Sequence, residues 1–427
     1  MPRFLHLADI HLGFDRYDSK ERTRDFFEAF YDVLERYAVA DPVDFVLIAG
    51  DLFEHRTIQP ATLNQAQICL QLLKDANIPA IAIEGNHDNR PYGTRTSWLR
   101  YLADWGLLIL LEPGDVSAGE QFYEPWDEEN KRGGYIDLEC GVRILGSCWY
   151  GAAAPRAIEQ IADAMQALPS NTGQTILLFH HGLEGQIARY AGALRYTEML
   201  PLKQAGVDYL ALGHIHKNYE IDNWIFNPGS LEANSIEESR YQRGAYLVDI
   251  DERGIHASLE QDYQQREIIQ LRLGLKGHES PEEVEQQSIG LVEQAIQSYL
   301  VNSDQAPILE LKIEGHVGFD RLGFDVRSLQ KKLQQLSNAL IFLLKYNVDE
   351  VGYMSPIADD ASKLQIEYEV FTDLLAAHNT YKNQAQTLAY GLIELKDLQI
   401  EDQPEPQLYE FVQSLFVTNP DDPTLDN

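Results

Sequence analysis

The sequence predicts an α/β layered protein followed by a smaller α+β unit and a set of C-terminal helices. Three observations carry this. Short apolar runs alternate with helix-patterned stretches over residues 1 to about 260. Strand-like and helix-like segments are mixed over about 264–350, and helical spacing dominates from about 360. In the first part RFLHLA (3–8), DFVLIA (44–49), PAIAIE (79–84), VRILGS (142–147), TILLFH (175–180) and DYLALG (208–213) read as buried strands. Continuous apolar runs of this kind suit strands covered on both faces. Between them 20–38, 60–76, 94–104 and 154–168 carry apolar residues at helical spacing. RGAYLVDID and GIHASLEQD, near 243–262, read as a closing hairpin.

In the second part ILELKIEG (308–315) is strand-like and DVRSLQKKLQQLSNAL (325–340) is helix-like. A helical pattern then covers 363–395, and the acidic, proline-bearing EDQPEPQ reads as a linker. In LYEFVQSLFV (408–417), Leu408, Phe411, Val412, Leu415 and Phe416 share one helix face. That face has two uses: packing on its own domain or docking a partner. Residues 397–427 hold eight Asp/Glu and no Lys or Arg, an acidic tail. The expected domains are 1–262, 263–350 and 351–427.

At 427 residues the chain has room for two or three domains, and 44% hydrophobic with 24% charged residues is ordinary for a globular protein. No apolar run approaches the roughly 18 residues of a membrane span. MPRFLHLADIHLG enters a strand pattern directly, without the apolar region and cleavage site of a signal peptide. No membrane association and a cytoplasmic address are therefore expected. Three cysteines with no CxxC argue against a disulfide framework or a thiolate zinc site. The net charge of −33 repels polyanions at long range. If the substrate is nucleic acid, local basic patches, bound cations or a partner must help to hold it.

Polar ligand types recur where the apolar strands end. FLHLADIH delivers Asp9 and His11, DFVLIAGD delivers Asp51, and PAIAIEGNHD delivers Asn86 and His87. TILLFHHG delivers His180 and His181, and DYLALGHIH delivers His214 and His216. Each alone reads as an ordinary turn or core histidine, but six of the twelve histidines fall in these five places. Ligands of α/β sheets gather at the carboxyl ends of strands, so distant segments can converge there. Residues i and i+2 of extended backbone share a side, which lets Asp9/His11 and His214/His216 each face one centre. Glycines at 50, 85 and 213 permit close backbone approach. Adjacent strand residues point oppositely, so one of His180 and His181 is expected to face the core. Mixed imidazole and carboxylate donors suit Mn, Fe or Zn. Seven donors are too many for one tetrahedral ion and about right for two ions sharing a carboxylate, an arrangement suited to in-line displacement at phosphorus.

The ordered set D-x-H, GD, GNHD, H and GHxH resembles the calcineurin-like metallophosphoesterase superfamily, which implies two sheets flanked by helices. LADIHLG, RDFFEAF (24–30), GDLFE and GHIHKN followed by NPGSLE (227–232) resemble SbcD-type DNA double-strand-break repair exonucleases, strongly over 1–235 and more loosely beyond. The resemblance implies that Asp9, His11, Asp51 and His216 hold one metal and that Asp51, Asn86, His180 and His214 hold the other. His180 is preferred to His181 because LLFHHG matches the family's strand, His, any residue, Gly. His87 would be the catalytic histidine, and the Asn227–Ser230 turn would close the edge of the site. The resemblance further implies two divalent ions, chiefly Mn²⁺, and DNA as substrate. It also implies a capping domain over 263–350, an SMC-like, SbcC-type ATPase partner and a homodimer formed through helices such as 94–104.

Two departures stand out. Many relatives carry a histidine directly after GDLF, where this chain has Glu54 followed by His55. The nuclease relatives are also seldom so acidic. Three functions follow: a manganese-dependent exonuclease subunit of DNA repair, a small-nucleotide phosphodiesterase of the same superfamily, and a partner-recruiting subunit with a vestigial site.

Overall fold

The computed structural model describes residues 1–171, 173–187, 192–299, 305–321, 323–350, 362–376, 380–400 and 403–417. The chain divides into two compact units. The first comprises Met1–Leu271, Glu293–Glu310 and Gln334–Leu343; the second comprises Arg272–Val292, Leu311–Leu333 and Leu344–Asn427.

The first unit is built on two six-stranded sheets. One runs in the order β12 (Gly254–Glu260), β11 (Ala245–Asp251), β1 (Arg3–Leu7), β2 (Phe45–Ile48), β3 (Ala80–Ala82), β4 (Ile109–Leu110). The other runs β5 (Tyr135–Asp137), β6 (Arg143–Leu145), β7 (Thr175–His180), β8 (Tyr209–Gly213), β10 (Ile225–Asn227), β9 (Tyr219–Ile221). Alternate residues of each strand enter different cores. Phe4, Phe45, Leu47 and Ile81 of one sheet pack with Ile144, Ile176, Leu178, Tyr209 and Phe226 of the other. Leu5, Leu7, Val46 and Ile48 face outward instead, onto Phe30 and Val33 of α1 (Lys20–Leu34) and Leu70 and Leu73 of α2 (Pro60–Asp75). Leu177, Phe179, Leu210 and Leu212 likewise meet Ile158 and Ile161 of α4 (Ala154–Gln166) and Met199 and Leu202 of α5 (Tyr196–Gln204). This is a helix–sheet–sheet–helix stack, and burial on both faces explains the continuous apolar runs within the strands, such as Phe45–Ile48 of β2 and Ala80–Ala82 of β3.

All six apolar runs named above contain strands, and the closing hairpin is β11 with β12. The two-residue β4 and the three-residue β5, β9 and β10 lack a run long enough to show a period. The helix expected at 94–104 is α3 (Trp98–Asp104), beginning where the Ser97 hydroxyl accepts the Arg100 N–H at 3.0 Å. The helix expected over 20–38 is α-helical to Leu34 and closes in a π turn at Glu35–Val39.

A three-stranded sheet, β13 (Ile268–Lys276), β14 (Ile308–Val317) and β15 (Ile341–Glu350), follows in chain order with α6 (Pro281–Tyr299) and α7 (Val326–Ser337). In the second unit α8 (Lys363–Ala376), α9 (Ala385–Ile400) and α10 (Glu405–Val417) replace the single helical run read over 363–395 and the helix at 408–417. The ring of Tyr368 of α8 lies 4.3 Å from that of Tyr390 of α9, tilted by 36°. α10 starts within the stretch read as a linker, because Pro406 in its first turn is preset for the helix. Residues 401–402 and the tail at 418–427 lie outside the described residues.

Candidate metal centre

Strand register brings the polar strand ends together. β1 and β2 are parallel with Leu7 opposite Ile48, and β2 and β3 are parallel with Ile48 opposite Ala82. The segments beyond β1 and β2 stay paired: Asp9 N–H donates to the Gly50 carbonyl at 3.1 Å and His11 N–H to the Asp51 carbonyl at 3.0 Å. In the second sheet His180 lies opposite Gly213, one residue before His214. Two glycines make this crowding possible. A Cβ on Gly85 would lie 2.1 Å from Asp51 Oδ1, and one on Gly50 would lie 2.4 Å from His180 Nδ1.

The donors gather in three groups whose ligand atoms lie within 4.8 Å of one another: Asp9, His11 and His216; Asp51, His180 and His214; and His11, Glu54 and His87. In the first, His11 Nε2 faces His216 Nε2 at 3.1 Å. In the second, His180 Nε2 lies 3.1 Å from Asp51 Oδ2 and 3.2 Å from Asn86 Oδ1, while His214 Nδ1 lies 2.8 Å from Asn86 Oδ1. Backbone donors bind the groups together: His214 N–H reaches Asp9 Oδ1 at 2.9 Å, and His87 N–H reaches Asp51 Oδ1 at 2.9 Å.

Asp9 and His11 stand together, as strand alternation predicts, but through left-handed rather than extended backbone. Asp9, His11, Asp51 and His214 have φ of 53°, 53°, 56° and 88°, all left-handed. His214 consequently joins Asp51 and His180, whereas His216 joins Asp9 and His11. His181 turns away: its ring nitrogens lie 3.1 Å from the Gly182 carbonyl and 3.2 Å from the Gly151 carbonyl. Asn227 Nδ2 donates to the carbonyls of Ile215 at 2.6 Å and Lys217 at 2.9 Å, bracing the loop that carries His216. Exposed His55 pairs with Asp15 at 3.1 Å.

Further contacts emerge in three dimensions. Glu238 Oε1 lies 3.2 Å from His216 Nδ1. Glu54 Oε2 lies 2.8 Å from His11 Nδ1, and the Glu54 carbonyl lies 2.6 Å from His87 Nδ1. The buried Asp88 carboxylate accepts the N–H groups of Phe53 and Gly85 at 3.0 Å each, tying the GNHD turn to the GDLF turn. Trp149 packs its ring 4.9 Å from that of His214. Asp88 could have been found in GNHD itself; Glu238 and Trp149 belong to no motif.

The electrostatics suit cations. Burial opposes charge on His180, but Asp51 and, less, Asp9 outweigh it and raise the imidazole to about 9. His216 is likewise raised to about 9, against burial, by its hydrogen bond to Glu238 and by Asp9. His214 is lowered to about 3 by burial and by His180. Burial would raise Asp51, yet the imidazoles around it, His180 first, hold it well below the carboxylate range. Burial and the Asp51 charge together push Asp88 up to about 7.

The donor set fits divalent ions. With Nδ1 of His180 engaged by the Ala49 carbonyl at 2.7 Å and Nδ1 of His216 by Glu238, both residues turn Nε2 toward the other donors of their groups. Imidazole nitrogens and carboxylate oxygens converge within 4.8 Å of one another in each group, as a mixed N/O site requires.

The sequence model of the calcineurin-like phosphoesterases matches residues 2–218. The chain belongs to the calcineurin-like phosphoesterase family. Members of this family use divalent metal ions, and the three donor groups lie at or near its matched segment. The chain is also similar to archaeal proteins named DNA double-strand break repair protein Mre11. The one from Archaeoglobus fulgidus is 31% identical over 256 residues, covering 58% of this chain and 55% of that protein. The one from Saccharolobus solfataricus is 25% identical over 383 residues, covering 86% and 90%. The one from Methanococcus maripaludis is 40% identical over 264 residues, covering 58% and 63%. This phosphoesterase thus spans about half the length of the Archaeoglobus relative. Among the described residues no helix is long and apolar enough to cross a membrane.

Proposed function

We propose that this phosphoesterase is a metal-dependent DNA nuclease of double-strand-break repair, acting chiefly as an exonuclease. The observation that carries the reading is the meeting of the Asp9–His11–His216 and Asp51–His180–His214 groups beside His87. Asp9, His11, Asp51 and His216 would hold one ion, and Asp51, Asn86, His180 and His214 the other, with Asp51 shared. Manganese is the favoured metal. Divalent cations supply Lewis acidity and charge neutralisation toward phosphorus. The chain's own contribution is orientation and proton handling. His87 donates its Nδ1 proton to the Glu54 carbonyl, which leaves Nε2 to carry a proton to the departing oxygen. Glu54 and Glu238 fix the rotation of His11 and His216. An SMC-like ATPase subunit would supply the long-range grip on DNA that a chain of net charge −33 lacks. Its soluble, cytoplasmic location, a capping role for 263–350 and a homodimer belong to the same proposal.

The test is digestion of linear double-stranded DNA by purified protein of measured metal content, with and without the coexpressed ATPase. DNA shortening with Mn²⁺ is expected, and His87→Ala should keep the metal while losing about 10²–10⁴-fold in rate. Full metal occupancy with intact DNA in both preparations refutes the reading. The excess of acid favours a second reading, a phosphodiesterase for small nucleotides. It gains if excess DNA fails to inhibit hydrolysis of bis-p-nitrophenyl phosphate.

A further inference from the structure

We propose that a cleft beside the metal centre is a single-strand subsite. In it Arg90 and Arg95 take the phosphates next to the scissile bond, and one unstacked nucleotide enters the space behind them. The inference rests on the nuclease reading and adds the form of DNA that reaches the metals.

The cleft begins at the centre itself. Asn89, whose Nδ2 donates to the Asn86 carbonyl at 2.9 Å, and Trp149, packed on His214, both line it. It has a volume of about 480 Å³ and shares Glu84, Arg90, Glu112, Arg132 and Cys148 with an adjoining cavity of about 890 Å³. Spaces of this size hold a small ligand and exclude a duplex.

Its charge runs against that of the molecule. Residues 89–100, NRPYGTRTSWLR, carry three arginines and no acid in a chain where acidic residues number 67 against 34 basic ones. Some of the cleft's charged groups are internally matched. Glu112 pairs with Arg100, Glu84 is hydrogen-bonded by Ser97, and Arg132 pairs with Asp104 at 2.7 Å. Arg90 and Arg95 are exposed, and among the described residues no hydrogen bond or ion pair holds either guanidinium. The cleft is lined by Arg90, Arg95, Arg100 and Arg132 against Glu84 and Glu112, and Arg90 partly offsets the burial that raises the Glu84 carboxyl, so the entrance is net positive and suited to phosphate oxygens.

Two further features favour a single strand. Tyr92, between the two arginines, is 96% exposed, which gives a base a ring to stack on. Deeper in, Ser147 is 1% exposed, lines the larger cavity, and its Oγ has no hydrogen-bond partner. A buried hydroxyl without a partner costs about 1–3 kcal/mol, a cost relieved when a polar base edge reaches it.

The test measures binding without catalysis. Fluorescein-labelled oligo-dT is titrated with the full chain in EDTA by anisotropy, over a range of salt concentrations. R90A/R95A should weaken binding about tenfold or more and reduce the salt slope by about 1.4, the single-strand value for two lost phosphate contacts. R90K/R95K should recover most of the slope. R24A/R253A removes the same charge from α1 and from the β11–β12 turn, and should leave affinity within about twofold. Unchanged binding by R90A/R95A overturns the inference while digestion by the unaltered protein leaves the nuclease reading standing. Equal weakening by R24A/R253A also overturns it, as an effect of net charge. If the unaltered protein neither binds nor digests DNA, both fall.

Discussion

Left-handed backbone at Asp9, His11, Asp51 and His214 costs about 1–3 kcal/mol at each residue and aims four donors that extended strand ends would scatter. The same crowding sets the proton affinities. His180 and His216, raised to about 9 in the folded protein, bind protons more tightly than in the unfolded chain, where the value is about 6.5. Their contribution to the stability of chelated protein is therefore complete below about pH 6.5 and lost as pH rises through 9. Metal has the opposite preference, because both imidazoles must be neutral to bind it. Chelated protein should lose Tm between pH 6.5 and 9, while Mn²⁺ affinity gains about tenfold per pH unit for each proton displaced. Calorimetry and metal titration across that window check this, and a pH-independent metal affinity would refute it. On the proposed two-ion reading, Glu238→Ala should weaken metal binding at the Asp9–His11–His216 group about 10–100-fold by releasing His216, leaving binding at the Asp51–His180–His214 group unchanged in the same titration.

At the scale of elements, the long strands were readable because both faces are buried: Leu5 feeds one core and Phe4 the other, so both faces of β1 carry apolar side chains. β4, with two residues, and β10, with three, carry too little pattern to be seen. Their pairing depends on neighbours already in place. The motif residues were readable because each follows directly on a strand. Which donor joins which does not follow from strand alternation and was implied only by the family resemblance; the left-handed φ of His214 accompanies a hydrogen bond to Asp9, 205 residues away in the chain. Glu238, reaching His216 from a 3-10 turn at Ile236–Arg240, had no signal at all. The turn between β3 and the GNHD histidine gives the clearest test at this scale. In Gly85→Ala the new methyl meets both Asp51 Oδ1 at 2.1 Å and the Asp51 amide nitrogen at 2.6 Å, so the side chain cannot simply swing aside. Overpacking of this kind costs about 1–3 kcal/mol. Lower Tm together with loss of metal from the Asp51 group is expected by thermal melts and elemental analysis; full occupancy would show that the turn yields more than the packing suggests.

Across the whole molecule, charge and exposed apolar surface divide the labour. The donor groups of the candidate metal centre are buried or partly buried in the first unit, whereas the helices of the second unit leave large apolar side chains in solvent. Ile366, Val370 and Leu374, spaced by four residues along α8, are 42%, 45% and 65% exposed, and they form one stripe. The opposite side of the same helix is occupied by Tyr368, whose ring lies 4.3 Å from that of Tyr390 of α9, and Glu367, flanking the row, pairs with Lys396. A three-residue apolar row beside a satisfied face is the arrangement by which a helix meets another helix. In a chain of net charge −33 that row offers contact without the electrostatic cost of approaching the acidic surface. If the proposed ATPase docks there, I366E/L374E should abolish co-purification while hydrolysis of bis-p-nitrophenyl phosphate and metal content remain as before, since no donor of the centre lies in α8. The duplex-digesting activity of the coexpressed pair should fall to that of the isolated chain. Retained co-purification would move the docking site to α10, whose Tyr409 is 70% exposed, and Y409E would then decide between the two helices.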